Sequence, residues 1–179
     1  MAEAFGISKE VTAKAIAAMP QVRGRVELID AGQNFKVIVD YAHTPDSLSA
    51  LYAAFPGKKI CVLGNTGGGR DTWKRPEMGK IADEACDTVI LTNEDPYDED
   101  PQKIVSEMAS GMMRKPAIIM DRHTAIAASL RQAQATGNEN VCVLISGKGT
   151  DPYIMGPRGS KTPWDDATVV REELARLKS

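Results

Sequence analysis

Residues 58–76, KKICVLGNTGGGRDTWKRP, join an apolar run to a helical pattern through a glycine-rich loop. A short apolar run at residues 60–63 is followed by four glycines within six residues, and Pro76 lies where a helical pattern begins. A continuous apolar run before a flexible loop and a helix is typical of a buried strand in a parallel sheet. The loop then lies at the carboxyl end of the strand, where such sheets bind ligands.

The glycine-rich loop resembles a phosphate loop without matching it. Gly64 and Gly69 have the spacing of G-x-x-x-x-G-K-[ST], but Arg70 and Asp71 stand where the lysine and the hydroxyl residue are required. We therefore reject a nucleoside-triphosphate loop. The glycine N–H groups and the three cationic side chains within residues 70–75 favour a loop that binds a phosphate or carboxylate. The alternative is a mobile surface loop.

The rest of the chain repeats the alternation of strand and helix. The apolar runs are residues 37–39, 60–63, 89–91, 117–120 and 141–145. Helical patterns separate them and begin at Pro45, Pro76, Pro101 and after Asp121, with a last one after Asp165. Residues 24–29 and 35–39 read as two strands joined by a turn. These patterns predict an α/β fold with a mostly parallel, Rossmann-like sheet, helices on both faces and an N-terminal antiparallel hairpin.

Composition and charge exclude several function classes. The net charge of -2 and a pI near 5.7 argue against a nucleic-acid surface. No apolar run reaches the roughly 20 residues of a membrane span, and the first residues do not read as a signal peptide. The three cysteines show no C-x-x-C spacing, so we expect reduced, buried thiols in the cytoplasm. The two histidines are far apart, and we expect no metal site.

Polar side chains follow four of the predicted strands. They are Asp40, Tyr41 and His43 after the first strand, the glycine-rich loop after the second, Glu94 and Asp95 after the third, and Gly147, Lys148, Gly149 and Asp151 after the fifth. Because the carboxyl ends of parallel strands share one edge of the sheet, we expect these clusters to meet in one crevice.

Each cluster has a functional and a purely structural interpretation. Asp40 either binds a ribose or only ends a strand, and His43 either lies near phosphate or metal or occupies the turn before the helix. Glu94 and Asp95 begin an acidic run and can bind a cationic substrate group, whereas residues 98–100 of the same run read as a solvated turn. The segment 147–149 can form a backbone nest for a carboxylate, and Asp151 can receive an amine.

Four motifs together resemble the C-terminal domain of the Mur ligases, in order and spacing over about residues 20–179. They are GRVE at 24–27, VDYAHTPDSL at 39–48, RDTWKRPEMG at 70–79 and GKG at 147–149. Within this family the pattern looks most like the ligases that add the third residue of the peptidoglycan stem peptide. Related folate and cyanophycin ligases share the Asp-Tyr-Ala-His element, but the Lys-Arg-Pro-x-Met-Gly run fits them less well.

The resemblance implies an ATP- and Mg²⁺-dependent amide ligation in the cytoplasm. A carboxylate of a UDP-MurNAc-peptide is phosphorylated by ATP, the amine of a free amino acid attacks the acyl phosphate, and phosphate leaves. The resemblance assigns ATP contacts to Arg25, Asp40, Tyr41 and His43, with Asp40 at the ribose and Arg25 and His43 on the phosphate side. It assigns a carboxylate of the amino acid to Arg70, and the pocket for its far end to Glu94, Asp95, Gly147 and Asp151. No catalytic residue is assigned.

The resemblance also implies a domain boundary. Residues 1–23 resemble the last helix and linker of a central ATPase domain, and residues 24–179 resemble the C-terminal domain that closes over it. The sequence contains no phosphate loop, so we predict that this chain alone does not turn over ATP.

Two departures from the family pattern concern the amino acid. The diaminopimelate-adding members carry Asp-Asn-Pro-Arg where this chain has Glu94-Asp95-Pro96-Tyr97, and Gly-Lys-Gly-His-Glu where it has residues 147–151. The arginine for a distal carboxylate is absent. An acidic pocket without it better suits a side chain ending in an ammonium, such as lysine or ornithine.

Two other classes of function compete with the ligase. The first is an ordinary Rossmann-like nucleotide-binding module, which would require G-x-G-x-x-G after the first strand, where Asp40-Tyr41-Ala42-His43 stands instead. The second is a non-catalytic interaction domain, in which changes at Arg70 or Asp40 would have no effect.

Overall fold

A computed structural model describes residues 2–69 and 71–178. Two sheets are present in this part of the chain. The strands are β1 Glu27–Leu28, β2 Lys36–Asp40, β3 Lys58–Leu63, β4 Thr88–Leu91, β5 Ala117–Ile118, β6 Val141–Ser146, β7 Tyr153–Met155 and β8 Lys161–Pro163. The helices are α1 Lys9–Ala17, α2 Pro45–Ala54, α3 Lys74–Ala85, α4 Pro101–Ala109, α5 Arg122–Ala135 and α6 Asp166–Arg176, with 3₁₀ turns at Ala2–Phe5 and Pro157–Gly159.

The main sheet has the strand order β1-β2-β6-β3-β4-β5. Strands β2, β6, β3, β4 and β5 pair in parallel, and β1 pairs antiparallel with β2. The predicted α/β fold and N-terminal hairpin are therefore confirmed. The register aligns Asp40 with Ser146, and Leu63 with Leu91, so the carboxyl ends of four strands lie along one edge.

Both faces of the main sheet are covered. Helices α5 and α6 pack on one face, through residues such as Ile126 and Val170. Helices α2, α3 and α4 pack on the other, through residues such as Leu48 and Met108. The central strand β6 is buried along its whole length, because it is covered from both sides and paired on both edges.

Side chains cap most of the helices at their start. Thr44 accepts a hydrogen bond from the Ser47 amide and forms a capping box with that residue. Asp100, Asp121 and Asp165 accept from backbone amides in the first turns of α4, α5 and α6. The aspartates satisfy free N–H groups and also interact favourably with the positive end of each helix dipole.

Helices α3 and α4 approach each other at two glycines. A Cβ on Gly79 would lie 1.9 Å from the Met108 carbonyl oxygen, and a Cβ on Gly111 would lie 1.9 Å from the Pro76 carbonyl oxygen. Both distances are far inside van der Waals contact. The packing of α3 against α4 therefore requires glycine at both positions.

Helix α1 stands apart from the core. None of its residues is buried, and the apolar residues Val11, Ile16 and Met19 are exposed, Ile16 at 65%. Ser8 caps this helix. No helix in the described part of the chain is long and apolar enough to cross a membrane.

The cysteines do not match the sequence prediction. Cys61 on β3 and Cys86 after α3 form a disulfide, so the expectation of three reduced thiols is wrong for these two residues. A separation of 25 residues with no motif gave no sign of this pairing. It arises because the end of α3 packs on the face of β3 that carries Cys61. Cys142 is a free, buried thiol, as predicted.

Candidate functional site

The carboxyl edge of the main sheet holds a cavity of about 310 Å³. Residues from the loops after β2, β3, β4 and β6 line it: Tyr41, His43, Thr66, Gly67, Asp71, Lys74, Glu94, Asp95, Tyr97, Gly147 and Asp151. The four polar clusters therefore meet in one crevice. Six of the nine residues that the sequence singled out line this cavity directly, and the parallel register accounts for their convergence.

A second, smaller cavity adjoins the first and shares Tyr41 and His43 with it. Arg25 and Asp40 line this second cavity. The Arg25 guanidinium lies 4.5 Å from the centre of the Tyr41 ring, and the Tyr41 and His43 rings meet edge to face at 4.7 Å. No described residue gives Arg25 a carboxylate partner, so its charge faces the cavity without an ion pair.

Asp40 and His43 are both fixed by backbone groups. The two carboxylate oxygens of Asp40 accept from the Val26 and Ala42 amides at 2.6 and 2.7 Å. His43 Nδ1 lies 2.8 Å from the Tyr41 carbonyl oxygen. Since a carbonyl only accepts, Nδ1 donates, and Nε2 of the neutral ring is then an acceptor. Asp40 thus shapes the turn, and His43 offers the free ring nitrogen.

Glu94 is a buried carboxyl with one oxygen that has no partner. The residue is 2% exposed, and its Oε1 accepts from the Thr66 hydroxyl at 2.8 Å. Its Oε2 has no hydrogen-bond partner among the described residues. Burial raises the pKa of Glu94, against the opposing effects of Arg122 and Thr66. A buried oxygen without a partner on the wall of a cavity is a binding position for a donor.

Gly147 allows Glu94 to occupy this position. A Cβ on Gly147 would lie 2.2 Å from Glu94 Oε2, and the residue has a φ of +108°. Any side chain here would push the carboxyl out of place. Gly67 has a similar role in the neighbouring loop, because a Cβ there would lie 2.2 Å from the Pro96 carbonyl oxygen.

Lys148 is 1% exposed and forms ion pairs with two of the acidic residues that were predicted to line the amino-acid pocket. Its ammonium lies 2.8 and 2.9 Å from the two oxygens of Asp95 and 2.9 Å from Asp151 Oδ2, and it also donates to the Tyr153 carbonyl oxygen. The sequence suggested that Asp151 receives an amine. In the structure that amine belongs to Lys148.

The three cationic residues that follow the glycines were predicted to bind an anion, and their outcomes differ. Lys74 lines the cavity. Arg75 is fully buried and points away from it, where it pairs with Glu99 at 3.0 Å and with Glu107 at 2.6 Å. The expectation that Arg75 holds a ligand is therefore wrong, because these two glutamates of the next loop and helix bind it. Arg70 lies outside the described residues.

The sequence of the chain matches a known protein family. Residues 24–149 match the family described as "Mur ligase, glutamate ligase domain". The chain belongs to the Mur ligase family. The matched residues include those that carry both cavities, apart from the segment after Gly149.

Curated relatives support this membership. The chain is 42% identical over 179 residues to the UDP-N-acetylmuramoyl-L-alanyl-D-glutamate–2,6-diaminopimelate ligase of Trichormus variabilis, covering 95% of this chain and 35% of that protein. It is 41% identical over 175 residues to the protein of the same name from Geobacillus kaustophilus, covering 94% and 35%. The chain thus spans about a third of the length of these relatives.

Solved Mur ligase structures share the fold. A structure of a UDP-N-acetylmuramoyl-L-alanyl-D-glutamate–2,6-diaminopimelate ligase superposes with a TM-score of 0.78 at 29% identity, over 99% of this chain and 37% of that one. A Mycobacterium tuberculosis folylpolyglutamate synthase superposes with a TM-score of 0.57 at 18% identity, over 97% and 37%. The second match concerns the fold alone.

This Mur ligase domain also carries site residues that sequence reasoning missed. Tyr97 lines the cavity, and the β7–β8 hairpin, which was not predicted, contacts Tyr97 and Asp95 of the cavity wall. The Met155 amide donates to Asp95 Oδ1 at 2.7 Å, and the Tyr97 amide donates to the Met155 carbonyl. Three-residue strands give too short an alternation to read in a sequence.

A buried ion pair supports the rim of the Mur ligase cavity. Arg122 donates to both oxygens of Asp166 at 2.8 Å and to the Ser146 carbonyl oxygen at 2.9 Å. A longer contact of 3.5 Å reaches the Asn93 carbonyl oxygen. Ser146 and Asn93 directly precede Gly147 and Glu94. The guanidinium therefore holds together the ends of the two strands that carry the cavity wall.

Proposed function

We propose that this chain is the amino-acid-binding domain of an ATP-dependent amide ligase that extends a UDP-MurNAc-peptide in peptidoglycan synthesis. Family membership supports the reaction class. The observation that carries the role of this chain is the cavity at the strand ends, where the buried Glu94 carboxyl faces a space large enough for an amino acid. The amine would be oriented there for attack on an acyl phosphate formed with ATP.

We propose that the adjoining cavity binds the nucleotide. Arg25 has a guanidinium without a carboxylate partner, stacked on Tyr41, and suits phosphate oxygens. His43 Nε2, an acceptor in the neutral ring, suits a hydroxyl donor such as that of a ribose. Asp40, assigned to the ribose by resemblance, would support this contact through the turn that it fixes.

The described residues contain no group of three His, Cys, Asp or Glu side chains that could hold a metal ion. We propose that Mg²⁺ binds with ATP on a central ATPase domain, and that this chain closes over it. When bound, the ion would polarise the transferred phosphoryl group. Residues 1–23 would be the end of that central domain, and residues 24–179 the closing domain. We place this ligase in the cytoplasm, where ATP and UDP-sugar substrates are available.

For the amino acid, we propose a side chain that ends in an ammonium, such as lysine or ornithine. Tyr97 stands where the resemblance places an arginine for a distal carboxylate. Asp95 and Asp151 already surround Lys148, but the carboxyl of Glu94 has no ion pair among the described residues and can receive an ammonium. Arg70, by resemblance, would hold the amino-acid carboxylate.

Diaminopimelate is the second candidate, because the relatives carry it in their names. NMR titrations distinguish the two candidate amino acids. The chain is titrated with lysine, ornithine, meso-diaminopimelate and norleucine. We expect lysine to bind more tightly than diaminopimelate and to shift the resonances of Glu94 and Gly147. Tighter binding of diaminopimelate would overturn the lysine proposal.

The same titration tests the proposed role itself. If none of the four amino acids binds, this chain is not an amino-acid-binding domain, and an interaction domain becomes the better interpretation. If an amino acid does bind, substitutions of Arg70 and Asp40 distinguish the classes further, since an interaction domain predicts that both have no effect on ligand binding.

A further inference from the structure

The charges around the cavity do not balance. Two buried cations, Arg122 and Lys148, face the pocket wall, and each is already paired: Arg122 with Asp166, and Lys148 with Asp95 and Asp151. Neither cation forms an ion pair with the carboxyl of Glu94. Within the described residues its Oε2 has neither a cation nor a hydrogen-bond donor.

A carboxylate in this position would be unstable in the ligand-free chain. Glu94 is 2% exposed, so water cannot solvate a charge on it, and the neighbouring Asp95 repels one. The only described donor is the Thr66 hydroxyl on Oε1. Burial correspondingly raises the pKa of Glu94, although Arg122 and Lys148 oppose this effect. The neutral carboxylic acid is the form that this environment favours.

A ligand ammonium reverses this preference. It supplies both the positive charge and the N–H donors that Oε2 lacks, and Gly147, which has no side chain, allows the carboxyl to occupy its position on the cavity wall. A charge-assisted hydrogen bond in a water-poor site is stronger than one in solvent.

We propose that Glu94 is protonated in the ligand-free chain and exchanges its proton for the side-chain ammonium of the bound amino acid. The step breaks the Glu94 O–H bond, releases one proton to solvent and forms a carboxylate–ammonium pair, so the pocket gains no net charge. This proposal rests on the proposed amino-acid site and adds the way in which that site selects a diamino acid. A neutral side chain such as that of norleucine cannot take the place of the proton.

Calorimetry in two buffers of different ionisation enthalpy tests the exchange. We expect lysine to release a proton near neutral pH and to bind more tightly as the pH rises through the titration of Glu94. Norleucine has the same carbon chain but no side-chain ammonium, and we expect it to bind about tenfold or more weakly without releasing a proton. Lysine binding without proton release would overturn the proposal, as would equal release by norleucine.

Two further readouts separate this inference from the proposed function. In the ligand-free chain, ¹³C NMR should show Glu94 titrating at higher pH than the same carboxyl does in the denatured chain, and an equal titration in the two states overturns the proposal. Glu94→Gln mimics the neutral acid and should weaken lysine about tenfold or more and remove the proton release, whereas Glu84→Gln should change neither. If no amino acid binds, the proposed function fails and this inference fails with it. If lysine binds but no proton moves, only the inference fails.

Discussion

At the scale of single residues, Glu94 links ligand binding to stability. Its carboxyl has a raised pKa in the folded chain because it is buried. The favourable contribution of the protonated form is fully present below the pKa of an unfolded glutamate. It is lost as the pH rises through the folded-state pKa. Glu94, which we propose binds the ligand, therefore destabilises the folded chain at high pH.

Glu94→Gln should consequently stabilise the chain, and more so at high pH. We expect a melting temperature above that of the parent at about pH 9 and little difference at about pH 4, where glutamate is largely protonated in both states. Each kcal/mol gained in the free energy of unfolding raises the melting temperature by about 2–4 °C in a chain of this size. Thermal unfolding followed by circular dichroism provides the measurement, and a variant that is less stable at high pH would contradict it.

The cysteines provide a second prediction at this scale. Without reductant, the denatured chain should alkylate only at Cys142, and after reduction at all three cysteines. In the native chain Cys142 should react slowly, because burial raises its pKa to about 11. Mass spectrometry counts the adducts. Three reactive thiols in the unreduced chain, trapped with alkylating reagent at cell lysis, would restore the prediction of a reduced protein.

At the scale of secondary structure elements, the contact between α3 and α4 depends on the absence of side chains. Gly79→Ala would place a Cβ 1.9 Å from a backbone oxygen of Met108, and neither helix can move without disturbing the sheet face below. We expect a loss of about 3 kcal/mol or more in the free energy of unfolding, measured with urea.

A matched control lies next to this glycine. Lys80→Ala changes an exposed residue of the same helix and removes only a surface ion pair with Glu84. It should change the free energy of unfolding by less than about 0.5 kcal/mol. Similar effects of the two substitutions would show that the helices separate easily.

The elements also show what a sequence can predict. The apolar runs and the proline and aspartate helix starts indicated the strands and helices, because burial on both faces leaves a continuous apolar signal. The shared sheet edge then placed Glu94 and Gly147 together. The partners of individual charges were not predictable: Arg75 looked like a ligand-binding cation and Lys148 had no predicted partner, and only the folded loops show that Glu99 and Asp95 bind them. Helix α3 begins at Lys74, two residues before Pro76.

At the scale of the whole molecule, Arg122 and Asp166 connect both sides of the site. The pair joins α5 to α6 and holds the ends of β4 and β6 through carbonyl contacts. Arg122→Met would leave Asp166 buried without its cation, and we expect a loss of about 3–5 kcal/mol in the free energy of unfolding.

The half-exposed pair Arg23–Asp165, at the start of the same helix α6, provides the control. Arg23→Ala should lose less than about 1 kcal/mol. The double variant Arg122→Met with Asp166→Asn should lose less than the sum of its single variants, because the two groups interact directly. Additive losses would contradict the pairing.

The predicted dependence on an ATPase domain also belongs to the whole molecule. The sequence has no phosphate loop, so the purified chain should release no phosphate from ATP above background, with or without lysine. Phosphate release that depends on lysine would contradict this expectation.

The enclosure of Lys148 has a practical consequence for chemical footprinting. An acylating reagent needs a free amine, and this ammonium is shielded by two aspartates and the Tyr153 carbonyl. Lys80 and Lys103, which are largely exposed, should be labelled quickly, while Lys148 should be labelled only when the β7–β8 hairpin lifts. The labelling rate of this one lysine would then report how often the hairpin opens.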